Sequence, residues 1–599
     1  MPATKYFVCL WAFACFALAN LAHALELTGT LTEENGQPVA GAMVMVESPN
    51  LNALRITTYT ANNGHFAFPD TGATQIPAKA ISIQKIGYLQ SGAPKIKRQG
   101  KRQTVSIRAK RIDNVADQVP PSAWLAGLPD TPDGHLVVRC ADCHQFPFAK
   151  ARNYIQKFSV LPAAEREKVW LDVMKFMRVK GMSIAPGDTV DVSKLPLATF
   201  EDDRISGFGH ADEARVAKVL AKYMPLKFDS YRLADYEKLL APIGGPNTII
   251  REYQLPAPAD SMFHDSAVVR KADGTLYSYS ADWVNPRMAR LNPLTGEFRV
   301  LPLPKGLSGL HTLVPDHDGN LWATFQISGH LGRFDVNSET WTTWVAGKSG
   351  WAEKGSNGSG LIHSIAYKAG FEVGFDTHGG IWSSLTGTNQ LIRIEPKTGK
   401  TDIVDAPGTG EAADVGDRTL LAGIYGLVMQ ADGKKIWVTQ LMGAVFSVNT
   451  ETMKVEDIIP IARGDAPRRL TIDKNDILYV PLHGAGQLLV YDTRVKKELG
   501  RYSLPDRAAA PYAANWDAFR NAVWMGGANA AKVYKFDVAS KSFTEYPLPT
   551  RDSIIVRTFP IDQKTGDIYF SYAPVAALKD GAHRLVWLHP DNAEVVVKP

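Results

Sequence analysis

From Asn247 to Pro590 the alternation of apolar and polar positions repeats. The recurring unit is an acidic or glycine turn, an aliphatic–aromatic pair, a polar loop, then an apolar strand closing on Asp or Asn. It reads Asp318-Gly319-Asn320-Leu321-Trp322 followed by Leu331-Gly332-Arg333-Phe334-Asp335, and recurs around Leu276-Tyr277, Ile381-Trp382, Ile436-Trp437, Leu478-Tyr479, Val523-Trp524 and Ile568-Tyr569. Successive aromatic positions are 45, 60, 55, 42, 45 and 45 residues apart, the length of a four-stranded propeller blade. Seven such units predict a seven-bladed β-propeller over residues 247–590. One early segment, Arg251-Glu252-Tyr253-Gln254-Leu255-Pro256, matches blade-ending strands such as Phe298-Arg299-Val300-Leu301-Pro302 and Phe543-Thr544-Glu545-Tyr546-Pro547. It precedes the first complete unit, and the last unit ends near His589 without such a strand. The early strand is therefore expected to complete the final blade and close the ring, leaving no open edge.

Upstream the period changes. Residues 25–111 hold short runs with partial period-two patterning, such as Leu27–Leu31, Ala42–Glu47, Gly64–Phe68 and Ala80–Ile83, separated by Gly, Pro and Asn punctuation. They predict a small β domain. Residues 112–132, polar and carrying Pro120, Pro121, Pro129 and Pro132, read as a linker. Residues 133–245 read as helical. Ala163 to Arg178 puts Trp170, Val173, Met174 and Met177 on one face, and Asp212 to Tyr223 forms a further helix stopped by Pro225.

Composition narrows the classes. With 21% charged and 45% hydrophobic residues the 599-residue chain is neither disordered nor fibrous. A formal charge of +5 is too weak over this length to indicate a nucleic-acid binder. Residues 1–24 have the anatomy of a signal peptide: Lys5, an apolar run from Phe7 to Leu18, and Ala22-His23-Ala24 before the cut. The expected mature protein is periplasmic or otherwise exported, with no membrane span left after cleavage. Between Lys79 and Arg111 stand ten basic residues and no acidic one, read as a solvated strand face or a surface for an anionic partner.

Cleavage changes what the cysteines mean. Cys9 and Cys15 leave with the signal, and Cys140 and Cys143 remain, followed at once by His144. Cys140-Ala141-Asp142-Cys143-His144 is C-x-x-C-H, the attachment sequence for one covalent haem c. Two thiols add to the porphyrin vinyl groups, and the adjacent imidazole supplies the proximal nitrogen to iron. A zinc half-site would need more Cys or His nearby, and a redox dithiol would need a βαβ context. The region resembles mono-haem cytochrome c domains, which implies a small all-α domain and a methionine as second axial ligand. Met177, in Trp170-x-x-Val173-Met174-x-x-Met177, and Met182, in the loop after Gly181, are the leading candidates. Met174 and His210 stand behind them, and a five-coordinate iron is left open.

Two further resemblances complete the organisation. The pattern G-x-L-x(4)-G-x-P-V-x-G-A-x-V followed by T-x-x-x-G-x-F-x-F resembles the carboxypeptidase regulatory-like family and implies a β-sandwich over 25–111. The D-G-N-L-W and L-G-R-F-D pieces resemble the virginiamycin B lyase (streptogramin lyase) family of seven-bladed propellers. That resemblance implies metal-assisted elimination of a cyclic depsipeptide, but the positions three after each aromatic are Ser280, Phe325, Leu385, Gln440, Leu482, Gly527 and Tyr572, with no acid to hold a hard cation. Eleven or twelve residues before each aromatic stand Ser266, His311, Phe371, Tyr425, Arg468, Tyr512 and Arg557, with His264 and His363 close to two of them. In a propeller these positions converge on the axis, where ligands bind. His264, His311, His363, Tyr425, Arg468, Tyr512 and Arg557 would suit a small anionic or phenolic ligand, or a metal held by His264, His311 and His363. Gly347–Gly360 is a polar insertion of lid type, and its Gly-Lys-Ser lacks the frame of a phosphate loop.

The expectation from sequence is thus a multidomain protein: N-terminal β-sandwich, small all-α cytochrome c domain, C-terminal seven-bladed propeller. Its expected function is electron transfer with a redox partner protein, coupled to a ligand-binding or redox-active propeller. The alternatives are a non-enzymatic haem-containing binding or sensor scaffold, and the lyase.

Overall fold

The computed structural model describes residues 26–49, 51–69, 71, 73, 75–142, 144–180, 210–258, 261–346, 362–386, 389–407, 423–441, 443–551, 556–572 and 583–590; for residue 142, 175–180 and 210–211 it describes the backbone alone. The expected signal peptide, Cys143, Met182 and the Gly347–Gly360 insertion lie outside the described residues, as do the side chains of Met177 and His210.

The repeat pattern becomes seven antiparallel sheets in chain order, the blades of a β-propeller. Blade 1 runs Phe263–Arg270, Leu276–Asp282, Arg287–Leu291 and Phe298–Pro302 from inside outward. Each aliphatic–aromatic pair sits on the second strand of its blade, and its acidic turn explains the motif. In blade 2, Asp316 accepts from Asn320 N (2.8 Å), Trp322 Nε1 (3.0 Å) and Arg333 Nε (3.1 Å). Blade 3 repeats this with Asp376, Trp382 Nε1 (2.8 Å) and Arg393 Nε (2.6 Å). One carboxylate satisfies the turn, the buried indole N–H and the third strand together, so none of these polar groups is buried unpaired.

Neighbouring blades are tied near the axis by side chains to backbone: Ser266 N to Thr558 Oγ1 (3.0 Å), Thr312 Oγ1 to His363 O (2.8 Å), Ser384 Oγ to Tyr425 O (3.2 Å). The ring closes as the sequence implies. Ile249–Gln254 pairs antiparallel with Arg584–His589, from Gln254↔Arg584 to Ile249↔His589, and forms the outer strand of blade 7.

The other edge of that strand is not free. Arg55–Tyr59 pairs with it from Arg55↔Glu252 to Thr58↔Ile249, so the blade and part of the N-terminal β region form one six-stranded sheet. A five-stranded sheet built on Glu26–Glu33 and Arg102–Arg111 faces it. Leu27, Leu31, Phe66, Val105 and Ile107 pack there against Val44, Val46, Ile56 and Ile81. Covering an exposed outer edge removes a template for aggregation. On the five-stranded sheet several of the expected basic residues are engaged rather than bare, as Arg102 Nε with Glu26 (2.6 Å) and Arg108 Nη1 with Glu34 O (3.1 Å).

The regular elements described between Pro132 and Glu237 are helices, including Pro132–Val138, Ala149–Lys157, Ala163–Lys180 and His210–Tyr223. Trp170 and Met174 are buried as the helical face predicts, Trp170 lying edge-on to Phe146 and Phe158. The stretch read as a linker differs from expectation. Val115, Val119, Trp124 and Leu125 are buried in the same core, with Trp124 against Phe228 and Tyr231. Its prolines shape a short 3-10 turn, Pro121–Leu125, because the apolar residues between them outweigh the polar composition.

Candidate functional site

Each blade sends one side chain to the axis at the start of its inner strand, and together these make a belt. In order around the ring they are His264, His311, His363, Tyr425, Arg468, Tyr512 and Arg557. Ring centroids are 3.8 Å apart for His264–His311, 4.0 Å for His311–His363 and 4.3 Å for His363–Tyr425. The Arg468 guanidinium lies 5.1 Å over both Tyr425 and Tyr512, and Arg557 lies 4.9 Å over Tyr512. Arg557 Nη1 donates to the Tyr512 hydroxyl (2.5 Å), which also meets the Tyr425 hydroxyl. All seven residues are at least nine-tenths buried.

Two positions picked by register arithmetic fall elsewhere. Ser266 bonds Ser571 Oγ (2.9 Å) between blades 7 and 1. Phe371 packs against Tyr367, ring centroids 5.0 Å apart and planes tilted by 58°, in an extra hairpin, Tyr367–Lys368 with Glu372–Val373, inserted between the first two strands of blade 3. The insertion lengthens that connection, so the axial position of blade 3 belongs to His363.

The structure adds two residues that sequence reasoning missed, Asp265 and Arg469. Arg469 Nη1 reaches both Asp265 oxygens (2.8 and 2.7 Å), and Asp265 Oδ1 also meets His264 Nδ1 (2.7 Å). The doublets His264-Asp265 and Arg468-Arg469 were the available signal.

Electrostatics divide the belt. Burial, then the nearby guanidinium groups, hold His264 and His363 well below the ordinary imidazole value; for His311 burial and the other two histidines do so. The three imidazoles are therefore neutral at pH 7. Burial raises Tyr425, then Tyr512 beside it, so its phenol keeps its proton. Arg469 and Arg557 are buried beside Asp265, both of whose oxygens accept from Arg469 Nη1. Arg469 Nε and Nη2 and Arg557 Nε are buried without a hydrogen-bond partner among the described residues. Buried guanidinium N–H groups left without an acceptor are unfavourable alone and favour an anion.

The thiol–histidine turn lies at the same end of the ring. The helical region docks on the loops that lead into belt residues of blades 5 and 6. His135 bonds Asp465 (2.8 Å), Arg463 Nε bonds Asp212 (2.8 Å) and Ser122 Oγ donates to Asp506 (2.6 Å). Asn529 clamps Phe146 through both backbone groups (2.7 and 2.8 Å). Cys140 is partly buried on the turn Arg139–Asp142, packed against the helical core. His144 Nδ1 donates to Gln145 O (2.9 Å), which leaves Nε2 as its lone-pair nitrogen, and burial lowers its pKa. That tautomer suits a proximal iron ligand.

A cavity of about 430 Å³ lies where the β region, the helical region and blade 6 meet, lined among others by Lys85, Phe148, Arg152, Tyr236 and Lys532. Its deepest charges are already matched, Lys532 Nζ lying 2.9 Å from Glu545 Oε2, whereas at the axis guanidinium N–H groups of Arg469 and Arg557 have no hydrogen-bond partner among the described residues. Chemistry therefore concentrates at the axis.

No family model matches the chain, and no curated protein matches it. Among solved structures it is similar to virginiamycin B lyase from Staphylococcus aureus, at 16% identity and a TM-score of 0.43, covering 57% of this chain and 99% of that one. A streptogramin B lyase structure gives 16% and 0.44 over 57% and 98%. A chain of the mitotic checkpoint complex gives 10% and 0.41 over 59% and 93%.

Proposed function

We propose that this chain is an exported c-type haem protein in which single electrons pass between a covalently held haem, a redox partner protein and a small anionic or phenolic ligand at the propeller axis. The observation that carries the reading is the C-x-x-C-H sequence whose His144 has Nδ1 tied to the Gln145 carbonyl, with no hydrogen bond to Nε2 among the described residues. When bound, haem supplies reversible one-electron chemistry. The chain's own part is attachment through Cys140 and Cys143, ligation through His144, and exclusion of water by Trp124, Phe146, Phe158 and Trp170.

Docking supports a shared task for the two sites. From Phe146, hydrogen bonds run to Asn529, and Asn529 N and Ala528 N donate to Ala509 O and Ala510 O (both 3.0 Å), two residues before Tyr512. At the belt, Arg468 and Arg557 bind and orient an anion, while Tyr425 and Tyr512 offer hydroxyls to a phenol or carboxylate.

The test is expression of the full chain in a host that matures c-type cytochromes. Haem is expected to survive denaturing electrophoresis, and to be lost in Cys140→Ala and Cys143→Ala. Small phenols and carboxylated reductants are expected to reduce it, less well in Arg557→Ala. Colourless protein with freely alkylated thiols would overturn the reading.

A further inference from the structure

Away from the axis, the cavity of about 430 Å³ between the N-terminal β region, the helical region and blade 6 has the size of a small-molecule site, a class that spans about 300–1,000 Å³. Met43, Ile86, Val119, Leu233, Ile243 and Leu548 give it apolar walls drawn from all three parts. An occupant's body is therefore apolar, and its polar groups must answer the few that the walls present.

Two of those groups belong to blade 6, whose third and outer strands are Lys532–Asp537 and Ser542–Pro547. The side chains of Lys532 and Glu545 are 4% and 1% exposed and form an ion pair. That pair uses one carboxylate oxygen only. Glu545 Oε2 accepts from Lys532 Nζ (2.9 Å) and from Ala241 N (3.3 Å), while Oε1 is buried and accepts from nothing among the described residues. The charge of Glu545 is thus matched and its hydrogen bonding is not, which costs free energy in the interior. A ligand hydroxyl answers both members of the pair, because it donates to the carboxylate and offers lone pairs to the ammonium. A carbonyl or a carboxylate has no proton to give.

The β wall holds Lys85. Its ammonium hydrogen-bonds the Ala40 carbonyl and forms no ion pair among the described residues. Burial lowers its pKa, and Glu237 offsets that only in part, so an anion beside it restores the charged form. The lining as a whole carries five basic residues against three acidic ones, which admits an anion and repels a cation.

We propose that this cavity binds an aromatic or alicyclic hydroxy acid, its hydroxyl set against Glu545 and Lys532 and its carboxylate against Lys85. The site is separate from the axial one and borders the C-x-x-C-H segment. Gln145, whose carbonyl holds His144 Nδ1, and Phe148, whose ring centroid lies 5.2 Å from that of His144, both belong to its lining. Occupancy is therefore expected to be felt at His144. That last step rests on the haem reading; binding in the cavity does not.

The experiment titrates the full chain, its thiols either haem-loaded or alkylated, with para-coumarate by isothermal calorimetry. Saturable binding is expected in both forms. Cinnamate, which lacks the hydroxyl, and para-vinylphenol, which lacks the carboxylate, are each expected to bind at least about tenfold more weakly. Ala149→Trp, at an exposed position of the lining, is expected to block the site, and Lys85→Gln to remove the preference for the carboxylate. A photoreactive diazirine analogue of para-coumarate locates the site in the unsubstituted protein, with label expected on peptides holding Phe148, Ile243 or Leu548. Absence of saturable binding, binding untouched by Ala149→Trp, or label on peptides of His311 or Tyr512 and not on these would overturn the site. Equal affinity for cinnamate would overturn the assignment of the hydroxyl to Glu545. In the haem-loaded chain, an absorption spectrum unmoved by saturating para-coumarate would overturn the link to His144. A colourless chain that still binds would dismiss the haem and leave the cavity standing.

Discussion

Glu252 joins the first and last parts of the propeller, and replacing it tests whether ring closure depends on a buried charge. Its fully buried carboxylate accepts from Thr550 Oγ1 (2.7 Å) and Tyr572 OH (2.9 Å), and pairs with Arg584 (3.3 Å) and with Arg55 (3.2 Å) of the N-terminal sheet. Removing one partner of a buried ion pair costs about 3–5 kcal/mol. Here the lower end applies, because the Arg584 and Arg55 side chains are 17% and 16% exposed and Arg55 keeps Glu47. A loss of about 3 kcal/mol in Glu252→Ala corresponds to roughly a hundredfold rise in local opening. Hydrogen exchange at the amides of Ile568–Ser571 and Arg584–His589 should accelerate by that factor, while those of blades 2 and 3 should not change. Glu252→Gln keeps an acceptor oxygen and loses the charge, so it should fall between, near tenfold. Unchanged exchange in blade 7 for Glu252→Ala would refute the argument that this carboxylate secures the closure.

Other predictions concern the docking of the helical region. Desolvation lowers the His135 pKa, but hydrogen bonds to Asp465 and Asp130 outweigh it and raise the value above 6.5. Its contribution is therefore complete below about pH 6.5 and lost as pH climbs through the raised folded value. Protection of Arg463–Asp465 from exchange should decline over that range, and His135→Gln should flatten the profile. Asn529→Ala leaves the buried N–H and C=O of Phe146 unpaired, a loss of about 2 kcal/mol, to be read as faster exchange at Phe146 with blades 1 to 3 unaffected.

How far the sequence reaches can be seen blade by blade. Aromatic spacing locates the second strand of each of the seven blades, and the stray segment Ile249–Gln254 reveals the closure, because both are properties of a local repeat. All seven belt residues were named from the sequence, His311, Tyr425, Arg468, Tyr512 and Arg557 by register and His264 and His363 as chain neighbours of register positions, since rotational repetition carries equivalent residues to one axis. Phe371 failed because an inserted hairpin shifts register without disturbing the hydrophobic pattern.

What the chain determined by itself was local: strand periodicity, blade count, the thiol–histidine turn and the helical faces around Trp170. Only tertiary structure decided that the N-terminal sheet runs on into blade 7, that the supposed linker is core, and that Asp265 is held by Arg469 across a gap of 204 residues. Those outcomes depend on contacts between distant segments, and the energy of burying a charge or an edge strand is set by neighbours that no window along the sequence contains.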